Sequence, residues 1–194
     1  MAIMKKKIKQ AAIELFFEKG YFATSMNDIA KACGIQKASI YYHYPGKEEL
    51  LYNILETTMD DLTKYLENEI EEITDVEERL RVAVRSHVRF HLDRQQENFI
   101  ANSELRGVSE KHFKDIVTKR DRYEKIFQEL IENGVEKGIL TCDDIKILSY
   151  AILTLCTAGA SWYKPSGRLS VDEIAEIYEN FIISGLKQDF NERR

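Results

Sequence analysis

The chain has 194 residues and a net charge of −5, and 44% of it is hydrophobic, enough for a substantial core in one large domain or two smaller ones. Three scattered cysteines, with no CxxC pair, exclude a disulfide framework and a zinc-finger pattern. Only two prolines and nine glycines interrupt the chain, which points to long helices.

Residues 1–9 are basic, but no apolar run of signal-peptide length follows them. The first helix is expected over Met4–Lys19, with Ile8, Ala11, Ala12, Leu15 and Phe16 on one face and Gly20 at its end. Ser25 (or Thr24) caps a second helix, Met26–Cys33, with Asp28 in the capping-box position. Gly34 makes a turn, Gln36–Tyr44 forms a third helix, and Pro45-Gly46 breaks it. A long helix from Lys47 to about Ile73 follows, striped by Leu50, Leu51, Ile54, Leu55, Met59, Leu62 and Leu66. Thr74 is expected to cap a helix over Asp75–Asn98, and a short one covers Phe99–Leu105. Ser109 caps a helix to Lys137, and two more run over Asp144–Tyr163 and from Ser170 to about Phe190, with fraying at Asn191–Arg194. The uncharged run Ile147–Tyr163 carries Ser149, Thr154, Thr157 and Ser161 and falls short of the about 20 apolar residues of a membrane span, so a buried helix is expected. No segment alternates long enough to be a strand. The fold class is all-α, about nine helices.

Charge divides the chain. Residues 1–50 hold eight lysines against five acids, about +3, which leaves −8 on residues 51–194. A chain of that kind meets DNA through its N-terminal segment alone. Thr24–Leu50 has the pattern of a helix-turn-helix, which lays its second helix in the major groove. Ile29, Ala30, Cys33, Ile35 and Ile40 supply a buried side. Gln36, Lys37, Ser39, Tyr41, Tyr42 and His43 remain for phosphates and base edges, while Thr24 and Ser25 offer a helix N-terminus to a phosphate. An ordinary helical corner with solvated polar residues has some of the same features, but turn, cap, Lys37, Lys47 and local positive charge together favour DNA.

These residues resemble the TetR family of bacterial transcriptional regulators. Thr24, Ile29, Ala30, Gly34, Ile35, Lys37, Ala38, Ile40, Tyr41, Tyr44, Lys47 and Leu50 stand in that family's recurring places, and FFEKGYFATS at 16–25 matches its usual lead-in. The resemblance implies DNA contacts at Tyr41 and Tyr42, a hold on the phosphate backbone by His43 and Lys47, and approach to the bases at Lys37 and Ala38. It implies a DNA-binding domain over 1–46, a ligand-binding and dimerisation domain over 47–194, and a homodimer on a palindromic operator in the cytoplasm. The stripes Leu148, Ile152, Leu155, Gly159, Trp162 and Val171, Ile174, Tyr178, Phe181, Ile182, Gly185 are the expected dimer faces.

Helices 51–137 are expected to enclose a small-molecule effector. Candidate contacts are His87, Arg89, Phe90, His91, Phe99, Arg106, Arg120, Tyr123, Phe127 and Trp162. HVRFHL at 87–92, ELRGVSEKHF at 104–113, KRDRYEKIFQELIENGVEKG at 119–138 and SWYKPSGRLSVDEIA at 161–175 resemble a FadR-type subgroup that responds to acyl-CoA and controls fatty-acid breakdown. A drug or another lipophile, with an efflux gene as target, is the alternative effector reading. His87 and His91, four apart, lack a third metal ligand at motif spacing. No catalytic or cofactor-binding motif is present, so no enzyme, no cofactor and no metal are expected. A helical protein-interaction adaptor is the rival class, and it leaves Lys37, Tyr41 and Lys47 without a role.

Overall fold

In the computed structural model, residues 2–187 are described. They form nine α-helices and one 3-10 turn, with no strand among the described residues. The helices are α1 (Ala2–Lys19), α2 (Met26–Cys33), α3 (Lys37–His43), α4 (Lys47–Ile70), α5 (Val76–Asp93), α6 (Gln95–Ser103), α7 (Glu110–Glu136), α8 (Ile145–Trp162) and α9 (Val171–Lys187). The 3-10 turn spans Leu105–Gly107. The expectations for Phe190 and Asn191–Arg194 lie outside the described residues.

Most starts and stops follow local chemistry. Gly34 ends α2 at φ 66°, a left-handed conformation that side chains with a Cβ rarely take. Asp144 caps α8 by accepting from the Ile147 N–H at 2.9 Å, and Ser170 and Glu173 form a reciprocal cap on α9. Two expectations need correction. The cap of α5 is Asp75, which accepts from the Glu78 N–H at 2.8 Å, not Thr74. The helix from there stops at Asp93, not Asn98. Arg94 leaves helical geometry (φ −119°, ψ 48°), its guanidinium lies over the Phe90 ring at 4.6 Å, and it pairs with Asp61 at 2.7 Å.

The chain separates into two compact units. One comprises Met1–Asp60 and Gln95–Lys119; the other comprises Asp61–Arg94 and Arg120–Arg194. The first unit is therefore larger than residues 1–46. Its core holds Ile8, Ala12, Phe16, Ile29, Ile40, Leu50, Leu51, Ile54, Ile100 and Ile116, all at most 2% exposed. Burial at roughly 1.5–3 kcal/mol per large aliphatic side chain makes this cluster the main stabilisation of that unit. Gly107 lets the chain approach closely there: a Cβ on it would meet the Tyr21 ring at 2.8 Å and Leu51 Cδ2 at 2.9 Å.

In the second unit α5 packs against α8 and α9. Leu80, Ala83, Val84 and Val88 are buried on α5, and Ile174, Ala175, Ile182 and Ile183 on α9. Buried among them is a carboxylate, Glu179, which accepts from Arg81 at 2.7 Å and from Arg85 at 2.6 Å. By length and composition α8 is apolar enough to cross a membrane. One face of it is buried: Ser149, Ile152, Cys156 and Gly159 face inward, while Ile147, Tyr150, Leu155 and Trp162 are exposed.

Candidate DNA interface and effector site

The candidate DNA interface is built on α2 and α3. Ser25 closes a capping box: the Asp28 N–H donates to Ser25 Oγ at 3.2 Å, and the Ser25 N–H donates to Asp28 Oδ2 at 3.0 Å. The Ser25 contacts hold the Asp28 carboxyl below its usual pKa. The Gly34 N–H donates to Lys31 O and the Ile35 N–H to Ala30 O, both at 3.0 Å, so the turn satisfies the last carbonyls of α2.

Helix α3 has seven residues and drives one side chain, Ile40, fully into the core. Tyr44 follows it inward and reaches Asn53 Oδ1 at 3.1 Å. Burial raises the Tyr44 pKa to about 12, so its hydroxyl keeps its proton. The opposite side is open. Gln36, Lys37, Ala38 and Ser39 are exposed, Tyr41 is 44% exposed and Tyr42 73%. Lys37 Nζ lies 5.8 Å from the Tyr41 ring, and the half-buried His43 sets its ring edge-on to Tyr42 at 5.3 Å. A short helix thus presents an ammonium group, hydroxyls and two phenol rings to the exterior, groups that donate to phosphate oxygens and base edges.

Two of the expected contacts are placed otherwise. Thr24 is buried, and its hydroxyl faces Gly20 O at 2.9 Å and Leu15 O at 3.2 Å. Its side chain closes the α1–α2 connection and has no path to a phosphate. Lys47 donates to Thr24 O at 2.7 Å and Tyr21 O at 2.8 Å, with Phe22 O at 3.5 Å, and lies over the Tyr21 ring at 4.3 Å. Burial lowers its pKa, with Glu104 opposing. Lys47 is therefore the clamp of the Tyr21–Thr24 loop. Sequence reasoning missed Lys5, whose ammonium stands 5.3 Å from the Tyr44 ring at the end of α3, and Lys7, which donates to Cys33 O at 2.9 Å at the end of α2. The basic run at 5–9 was the available signal.

The effector candidates divide. His87, Phe90, His91, Tyr123 and Phe127 are all buried in the second unit. His87 Nδ1 lies 2.8 Å from the Tyr123 hydroxyl, and its Nε2 lies 3.0 Å from Thr157 Oγ1. The His87 ring touches those of His91, Tyr123 and Phe127, with centroids at 4.3, 5.6 and 5.8 Å. Burial, reinforced by His91, pushes the His87 pKa well down, so the ring is neutral and one nitrogen donates while the other accepts. Burial likewise keeps Tyr123 protonated. Arg120, one turn before Tyr123 on α7, is half-buried with its pKa lowered by desolvation. Thr157 is the member of this chain that sequence reasoning did not assign.

The other four fall elsewhere. Arg89 is tied to Asp172 at 2.7 Å on the surface of the second unit. Trp162 is 53% exposed on α8. Phe99 and Arg106 belong to the first unit and are exposed, Phe99 packing edge-on against Phe17 at 5.2 Å. The His87 cluster belongs to the second unit.

The family model for bacterial regulatory proteins of the tetR family matches residues 8–54, and the one for the tetracyclin repressor-like C-terminal domain matches residues 74–186. The chain belongs to the TetR family. As a member it is a DNA-binding transcriptional regulator and not an enzyme. The HTH-type transcriptional repressor KstR2 of Mycolicibacterium smegmatis is 24% identical over 96% of this chain and 92% of its own length. A regulatory protein in the tetR family from Rhodococcus RHA1 is 28% identical with a TM-score of 0.89, covering 96% of this chain and 98% of its own. AibR, solved in complex with isovaleryl coenzyme A and operator DNA, is 26% identical with a TM-score of 0.84, covering 92% of this chain and 97% of its own. The TetR-type helix-turn-helix and C-terminal helical domain are thus matched along nearly the whole chain.

Proposed function

We propose that this TetR-family repressor acts in the cytoplasm as a homodimer on a palindromic operator and is released by an acyl-CoA thioester, controlling genes of fatty-acid breakdown. Residues 1–46 are its DNA-binding segment and 47–194 its effector and dimer segment. The observation that carries the DNA reading is the open face of α3, where Lys37, Ser39, Tyr41 and Tyr42 project opposite the buried Ile40. Gln36, Ala38 and His43 flank that face, and Ser25 lies at the start of α2.

Dimerisation is supported by apolar side chains that the chain leaves uncovered on α8 and α9. Ile147, Leu155, Ile177 and Phe181 are 40–70% exposed, and a groove of about 1120 Å³ lined by Leu148, Leu155, Phe181 and Gly185 runs between the two helices. A second copy covers such a face symmetrically and sets two α3 helices on half-sites about one helical turn apart.

The acyl-CoA reading is supported by the buried cluster of His87, His91, Tyr123, Phe127 and Thr157, by the half-buried Arg120, and by the thioester bound in the AibR structure. Apolar walls with a few convergent polar groups are the usual form of a small-molecule site. Three residues separate α3 from α4, and α4 finishes in the second unit, so it is the covalent link that leads directly to the recognition helix. Release requires the ligand to favour the non-binding form by a few kcal/mol. Titrating acyl-CoA of graded chain length into a protein–operator gel shift tests this. Operator affinity falls as ligand saturates; unchanged affinity at saturation removes acyl-CoA as effector and leaves the drug or lipophile alternative.

A further inference from the structure

We propose that His112 and Glu49, with Glu48 behind the imidazole, form a divalent transition-metal site in the unit that carries α3. Glu48 and Glu49 lie in the first turn of α4, and His112 lies in the first turn of α7. One potential ligand atom from each of the three falls within 4.8 Å of the others.

The chemistry of the cluster fixes the ring. Glu48 Oε1 lies 2.6 Å from His112 Nδ1 and accepts the Ser109 N–H at 2.9 Å. The Ser109 N–H fixes this carboxylate oxygen beside the imidazole, where it accepts the hydrogen on Nδ1. With Nδ1 turned to Glu48, the ring nitrogen left for a metal ion is Nε2. What it meets is Glu49 Oε2, at 3.9 Å. That nitrogen and the carboxylate oxygen face each other across a gap too wide for a hydrogen bond. Two metal–ligand bonds of about 2.0–2.2 Å span such a gap. A carboxylate on the far nitrogen is also the usual support of a metal-bound histidine.

Further groups hold the site. The Tyr52 ring stacks on His112 at 3.8 Å with an 8° interplanar angle, fixing the imidazole plane. The Tyr52 hydroxyl faces Glu56 at 3.1 Å and also Asp115. The surroundings are acidic, and the nearby cation Lys119 is engaged by Asp60 at 2.7 Å. His112 and Glu49 are part-exposed, which leaves an entry path and room for waters to complete the coordination. An imidazole with carboxylates suits zinc or a neighbouring first-row ion better than calcium. Binding would pin the start of α4, directly after the recognition helix, to the start of α7. The site is independent of the effector reading.

The test is zinc binding to the full-length protein, measured by competition with a chromophoric chelator and by thermal shift. The wild type takes up zinc saturably and its Tm rises with zinc, whereas calcium does neither. Glu49→Gln and His112→Ala each weaken zinc at least tenfold and abolish the thermal shift, and Cys142→Ser leaves both readouts unchanged. Glu49 makes no other contact of note in the cluster, so Glu49→Gln decides the matter even where His112→Ala disturbs folding. Absence of saturable zinc uptake, or Glu49→Gln binding like the wild type, overturns the proposal.

Discussion

At the residue scale, the most consequential finding is that conspicuous charges are structural. Lys47 spends its donors on the carbonyls of Tyr21 and Thr24. Lys47→Met leaves those acceptors unmatched at about 1–3 kcal/mol. At about 2–4 °C per kcal/mol for a chain of this size, thermal melting registers the loss. The operator affinity of the variant falls only as its folded fraction does. Glu179 behaves similarly, because it is the buried acceptor shared by Arg81 and Arg85. Glu179→Ala strands two guanidinium groups and costs about 3 kcal/mol, near the low end for breaking a buried pair because both arginines keep Glu77 or Glu78. Acid stability follows from Glu48, lowered chiefly by the Ser109 N–H, and Glu77, lowered chiefly by Lys187. Their folded pKa values lie below the unfolded ones. The contribution is therefore full above about pH 4.3 and disappears as pH falls through the folded values. Urea midpoints taken between pH 7 and pH 3 fall on the acid side.

At the element scale, α3 is a short rod with one buried anchor, Ile40, and an open polar face. Lys37→Ala leaves stability nearly unchanged, weakens binding to all sequences about equally, and lowers the slope of log K against log salt by about one per half-site if Lys37 meets a phosphate. The boundaries of α2 and α3 were legible because Ser25, Asp28, Gly34 and Pro45-Gly46 each impose a local geometry. The break at Arg94 was not, since the sequence DRQQEN contains no glycine, proline or capping pair, and the break rests on tertiary partners, Asp61 and the Phe90 ring. Phe99 and Arg106 were assigned to the effector site because all helices over 51–137 were taken as one enclosure, whereas residues 95–119 belong to the first unit. The roles of Thr24 and Lys47 were illegible for a related reason: their partners are backbone carbonyls, which leave no trace in side-chain periodicity. His87, Tyr123 and Phe127 were legible as apolar-face positions of α5 and α7, whereas the bond from His87 to Thr157 of α8 required three-dimensional placement.

At the scale of the whole molecule, the division of charge and of surface goes together with a division of labour. The net positive charge lies on the N-terminal segment, and the exposed large apolar side chains of α8 and α9 lie on the net-acidic remainder. If a second copy covers that face, Phe181→Glu places a charge in it, and sedimentation then reports a monomer with at least a hundredfold weaker operator binding. The most direct test of DNA recognition through α3 is a gel shift on the promoter fragment that footprinting defines, comparing wild type with Tyr41→Ala across a salt series. The expected result is a symmetric footprint, a steep loss of affinity with salt and a large loss in Tyr41→Ala at unchanged Tm. Equal binding by Tyr41→Ala, or a salt-independent complex, would contradict it.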